Sequence, residues 1–103
     1  MGDAKLPSIS DSESYILDLI EARERFGLEL VDLSRGRLKR GSIYVTLGRM
    51  ETKGFVESYQ EERAPGAIGL PRRLYRATAY GLKVRDAYRI LKEALALKPA
   101  EAR

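Results

Sequence analysis

Arg40, Ser42, Tyr44, Val45, Arg49, Thr52 and Lys53 are the residues of this 103-residue chain whose types and spacing best suit a chemical task. They fall in the stretch Arg-Gly-Ser-Ile-Tyr-Val-Thr-Leu-Gly-Arg-Met-Glu-Thr-Lys-Gly, residues 40–54. The task they suit is reading a polyanion. Guanidinium and ammonium groups neutralise phosphate, hydroxyls donate to phosphate oxygens, and an aliphatic side chain packs on a thymine methyl. Arg49 fits a guanine edge or a phosphate, Val45 a thymine methyl, and Ser42 a phosphate beside a helix N-terminus. Further along, Arg72 and Arg73 suit phosphate or a minor groove.

Catalysis is poorly supplied by comparison. The chain has no His and no Cys, which removes the commonest general base, the thiol nucleophile and the usual zinc ligands. Carboxylates, Lys, Ser and Tyr remain, and none falls in a catalytic spacing. No catalytic residue, metal ligand or cofactor is assigned, and the chain reads as a non-enzyme. No apolar run approaches the roughly 18 residues of a membrane span, and the N-terminus lacks a signal peptide's apolar core. With no Cys, these features predict a cytoplasmic protein without a membrane partner.

Charge is segregated along the chain. Residues 1–33 hold eight acids against three bases, a net of −5, in a chain of net charge +4, so the remainder carries +9. No acid occurs between Arg63 and Arg85, where Arg72, Arg73, Arg76 and Lys83 also lie. Such asymmetry predicts a basic face for a polyanion. A merely solvated charged surface is the plainer alternative.

The elements that must position these residues follow from hydrophobic period and breakers. A first helix is expected from Ser10 to Glu24, with Ser10 and Glu13 in capping-box spacing and Ile16, Leu17 and Ile20 on its core face. Gly27 interrupts it. A second, short helix is expected from Leu28 to Ser34, and the short basic link Arg35-Gly36-Arg37-Leu38-Lys39 leads to a third from Ser42 to Lys53. There Ile43, Leu47 and Met50 form the buried stripe, Ser42 is the cap and Gly54 the stop. Phe55–Tyr59 and Arg72–Ala77 read as paired strands, and residues 64–71, rich in Pro and Gly, as a long loop between them. A hairpin with a basic tip behind a helix-turn-helix is a wing. Thr78 caps a last helix, Ala79 to Leu97, ended by Lys98-Pro99. Its Val84, Tyr88, Leu91 and Leu95 form a near-heptad seam that packs either on the first helix or on a second subunit.

The expected fold is α+β and mainly helical: a winged helix-turn-helix of three helices and a two-stranded wing, with a C-terminal dimerisation helix. It divides into an arm at 1–9, a DNA-binding domain at 10–77, the dimerisation helix at 78–98 and a tail at 99–103. On a helical wheel, Gly41, Val45, Gly48, Arg49 and Thr52 face away from the core stripe, flanked by Ser42, Tyr44 and Lys53. Small residues at the centre of that face let the backbone approach base edges. Each assignment has a plainer rival. Tyr44 can pack between the third and first helices, Arg49 can pair with an acid, and Ser42 is a helix cap first. Glu51 lies on the wrong side for DNA and is expected to pair with a basic residue of the wing or linker.

Residues Gly41-Ser42-Ile43-Tyr44-Val45-Thr46-Leu47-Gly48-Arg49-Met50-Glu51-Thr52-Lys53-Gly54-Phe55-Val56 resemble the recognition-helix signature of PadR-type transcriptional regulators. Arg72-Arg73-Leu74-Tyr75-Arg76-Ala77-Thr78-Ala79-Tyr80-Gly81 resembles that family's second wing strand and its entry to the last helix. Ile16–Ile20 followed by Phe26-Gly27-Leu28-Glu29-Leu30 is a weaker third likeness. Three departures stand out: Val45 where the family often has Pro, Leu28 where it has an aromatic, and Gly48 in mid-helix. The resemblance implies a homodimeric regulator, commonly a repressor, whose C-terminal helix builds the dimer interface. Some members of that family bind small aromatic or cationic molecules between subunits, so the resemblance leaves room for a small-molecule effector, unidentified. With no Trp present, a Trp-lined site is ruled out, and Tyr15, Tyr80 and Tyr88 are candidates to line a smaller one. The sequence thus predicts a sequence-specific regulator, a repressor, that binds an inverted-repeat operator as a dimer, with the third helix in the major groove. The alternative is a winged-helix protein–protein interaction module that does not bind DNA.

Overall fold

In the computed structural model, residues 5–69 and 71–96 are described. The elements run α1 (Asp11–Ile20), β1 (Arg25–Phe26), α2 (Gly27–Leu33), α3 (Ile43–Thr52), β2 (Val56–Gln60), β3 (Arg73–Ala77) and α4 (Ala79–Ala96). The expected arm residues 1–4, the Lys98-Pro99 helix stop and the tail lie outside the described residues.

Helix α1 starts at the anticipated capping box. The Ser10 hydroxyl accepts from the Glu13 N–H at 3.1 Å, and the Glu13 carboxylate accepts from the Ser10 N–H at 2.8 Å. It ends at Ile20, four residues before the expected Glu24. The reason is tertiary. Arg25 and Phe26 pair with Tyr75 and Leu74 of β3, and the Arg25 Nε donates to the Leu19 carbonyl at 2.7 Å. Ladder bonds outweigh another helical turn. The wing is therefore a three-stranded antiparallel sheet, in the order β1-β3-β2, rather than a two-stranded one. A two-residue strand is too short to leave a period-two signal.

Ile16, Leu17 and Ile20 of α1 meet Leu30, Leu38, Ile43, Leu47, Met50, Phe55, Val56, Tyr75 and Val84 in one core. Burying a side chain of this size is worth about 1.5–3 kcal/mol. The stripe read from α3 is thus the face that fixes that helix against α1 and α2.

The wing is joined to α4 backbone to backbone. Gly54, at φ +81°, ends α3 in the left-handed region that a side chain disfavours. The Thr78 hydroxyl donates to the Gly54 carbonyl at 2.6 Å and accepts from the Gly81 N–H at 2.9 Å, so it does cap α4. A Cβ at Gly81 would lie 2.3 Å from the Phe55 carbonyl oxygen. No side chain fits there without lifting α4 off the sheet.

Ion pairs bind α4 to α1. Arg85, only 4% exposed, donates to Asp18 at 3.1 Å and Glu21 at 2.7 Å, with Asp86 at 2.9 Å. Arg89 reaches Asp18 and Lys92 reaches Asp11. Among the described residues no helix is long and apolar enough to cross a membrane.

Candidate nucleic-acid interface

The outward face of α3 is bare. Val45 is 64% exposed, and Arg49 is exposed with no ion pair among the described residues. A Cβ placed at Gly41 or Gly48 would meet nothing within 4 Å. Thr52 is exposed too, though its hydroxyl donates back to the Gly48 carbonyl at 3.1 Å. Arg40 precedes the helix, exposed and unpaired among the described residues. Small, apolar and cationic groups thus share one surface that no other described residues cover.

Three expectations for this helix change. Ser42 stands at the N-cap position but makes no side-chain cap bond, since its φ of −125° and ψ of −10° are not those of a capping residue. Lys53 is not on the reading face. Its ammonium lies 2.9 Å from the buried Glu13 carboxylate and 3.1 Å from the Ser8 carbonyl, because burial of Glu13 demands a partner cation. Glu51 does meet the wing, but through the Ser58 hydroxyl at 2.7 Å rather than a cation. Tyr44 packs against the chain, though not where expected. Its ring edge sits over Gly27, where a Cβ would come within 2.6 Å of Cε1, so its packing partner is α2 rather than α1. Half of the residue remains exposed.

The wing is less available than its composition implies. The Arg72 guanidinium lies 3.9 Å above the Phe26 ring and 3.1 Å from Glu61. Arg76 pairs with Glu57 at 2.9 Å, and Arg85 has turned inward to α1. The acid-free span is acid-free in sequence only, because sheet register brings Glu57 and Glu61 opposite its arginines. Arg72 holds the Glu61 carboxyl below its ordinary value, while the Glu24 carboxylate pushes the Tyr59 hydroxyl up. Arg73 is exposed, and its guanidinium donates to the Ser58 hydroxyl at 3.5 Å. Exposed pairs such as Arg72–Glu61 are weak and open to competition by phosphate.

The fold assembles one feature that sequence reading missed. Phe26, Leu28, Tyr44, Pro71, Arg72 and Arg73 enclose an apolar hollow of about 420 Å³ beside α3. It draws on three distant segments, so no local signal announces it. Among the described residues no cluster of acids is placed to hold a metal ion.

The seam on α4 splits in two. Val84 is buried in the chain's own core, and Tyr88 is half-buried with its hydroxyl donating to the Pro7 carbonyl at 2.5 Å. These two are not free for a partner, because α4 lies against α1 and the N-terminal segment. Leu91 at 49% and Leu95 at 75% are exposed, as is Ile90. Leu6, Pro7, Tyr80, Val84, Ala87, Tyr88 and Leu91 line a groove of about 360 Å³. Tyr80 and Tyr88 meet there, whereas Tyr15 lies elsewhere, under the Arg37 guanidinium at 4.0 Å.

The sequence profile of the Transcriptional regulator PadR-like family matches residues 16–87. No curated protein matches the chain. Among solved structures, a PadR family transcription regulator from Clostridium difficile is 27% identical, with a TM-score of 0.64 over 81% of this chain and 92% of that one. A PadR family regulator from Eggerthella lenta is 22% identical, with a TM-score of 0.68 over 82% and 73%. Bacillus subtilis PadR, solved in complex with operator DNA, shares the fold at 19% identity and a TM-score of 0.68, over 78% of this chain and 47% of that one.

Proposed function

The chain belongs to the PadR-like family of transcriptional regulators, and from that premise we propose that it is a repressor that binds an inverted-repeat operator as a homodimer. The observation that carries the reading is the bare face of α3. A helix that buries Ile43, Leu47 and Met50 completely yet leaves Val45, Gly48 and Arg49 uncovered is built to lie against something. Its small centre and cationic edge match a major groove. The likeness in fold to a PadR solved with operator DNA supports that choice of partner.

In this reading Val45, Gly48, Arg49 and the exposed edge of Tyr44 face base edges. Arg40, Ser42, Arg72 and Arg73 hold phosphate, Thr52 flanks them, and Lys53 serves the fold instead. The subunits join through Ile90, Leu91 and Leu95, whose exposure on one helix is hard to reconcile with an isolated chain. The groove at Tyr80 and Tyr88 is the place for a small effector. A two-fold dimer sets its recognition helices about 34 Å apart, one turn of DNA.

Selection of bound duplexes from a random pool, with the full chain at moderate salt, tests this directly. A recovered inverted repeat with half-site centres about 10 base pairs apart is the expected result. Recovery of unrelated sequences, or none, would return the chain to the protein-interaction reading.

A further inference from the structure

Arg35, Lys39 and Arg40 crowd the turn between α2 and α3, exposed and without an acidic partner among the described residues. In the wing and α4, by contrast, Arg72, Arg76, Arg85, Arg89 and Lys92 meet carboxylates, while Arg73 and Lys83 are exposed without one. Among the described residues this turn thus gathers Arg35, Lys39 and Arg40 within a few positions, none paired with an acid.

The turn is also rigid. Ser34 is buried, and its hydroxyl donates to the Val31 carbonyl at 2.8 Å and accepts from the Leu38 N–H at 2.9 Å. Leu38 plugs into the core, and Arg37 stacks on Tyr15 of α1. The Lys39 carbonyl accepts from the N–H groups of Ser42 and Ile43, so the turn runs straight into α3. Most telling is Arg35, the one described non-glycine residue at positive φ, +52°. Glycine or asparagine is the ordinary occupant of that conformation. An arginine held there at a conformational cost marks a side chain useful for something other than the fold.

We propose that the α2–α3 turn is a phosphate clamp, in which Arg35, Lys39 and Arg40 grip the DNA backbone beside the reading helix. Held rigidly to α1 and the core, the clamp fixes the depth and register of α3 without reading sequence. It rests on the DNA-binding reading above, which already gives Arg40 to phosphate, and extends it to Arg35 and Lys39.

The test is the Arg35→Gly, Lys39→Ala double variant of the full chain. Glycine relieves the strain at +52°, so the variant is expected to melt no lower than the parent. Anisotropy titrations against salt, on a duplex the parent binds, are expected to show weaker binding to matched and mismatched sequences alike. The log–log salt slope should be shallower by about 0.9 for each lost contact, or about 1.8 per subunit. Arg35→Lys with Lys39→Arg should keep the parental slope. A parent that binds DNA and a double variant with an unchanged slope would overturn the clamp alone. Weakening confined to one sequence would also overturn it, because it would mean base contact. A parent that binds no duplex would overturn the DNA-binding reading and the clamp together.

Discussion

Gly48 sits in the middle of α3 with open space where its Cβ would be. Glycine there costs about 1 kcal/mol of helix stability relative to alanine. The fold gains nothing from it, since no neighbour approaches closely and the helix is otherwise regular. A DNA surface would gain a closer approach of the backbone. Gly48→Ala is accordingly expected to raise the unfolding free energy by about 1 kcal/mol in denaturant titration while weakening operator binding. A variant that is more stable and binds as well would show that the position is indifferent to DNA. Lys53 makes the opposite point. The sequence places it at the rim of the same face, yet a carboxylate forty residues earlier claims it. Glu13 was legible as half of a capping box, but its burial beneath Lys53 was not, because that depends on how α3 crosses α1.

Helix α3 was readable because a 3.6-residue period survives in a single stretch of sequence. The wing was readable in outline for the same local reason, and its electrostatics were not. Arg72 and Glu61 are separated by a long loop, and only the register of β2 against β3 makes them neighbours. Glu61→Gln therefore frees the Arg72 guanidinium. The expected outcome is tighter binding to any duplex and a salt slope steeper by about 0.9 per subunit; an unchanged slope would mean that phosphate already displaces Glu61. The α1–α4 contact depends on pH. Arg85 holds Glu21 below its ordinary carboxyl value of 4.5, and Lys92 holds Asp11 below 3.8. Their native-state pairing is thus fully present above those values and lost as pH falls through the lower native ones. Thermal melts should be flat from neutral pH down to about 5 and decline modestly below about 4, as expected of solvent-exposed carboxylates. Arg85→Met should flatten that acid limb while lowering the neutral plateau.

At the scale of the whole molecule, the proposed dimer makes a sharp mutational demand. Leu91→Asp with Leu95→Asp introduces four charges into a two-fold interface while leaving the described core intact. Light scattering at micromolar concentration is expected to give a monomer mass, with helix content preserved and operator affinity reduced by orders of magnitude. A parent chain that is already monomeric would contradict the dimer. The seam was legible as four apolar positions, but the division of Val84 and Tyr88 from Leu91 and Leu95 was not. It depends on where α1 and the segment at Pro7 stop covering α4. In the proposed dimer, the joint at Gly81, where α4 rests directly on the Phe55 backbone, would set how tolerant the protein is of its target. A hinge there would let the two reading heads splay to meet half-sites at several separations. Backbone wedged on backbone, pinned by Thr78, allows no such play. One base pair inserted at the centre of the operator, about 3.4 Å along the helix axis, would leave each half-site intact and the pair unusable together. The protein would then count the letters between its half-sites as strictly as it reads those within them.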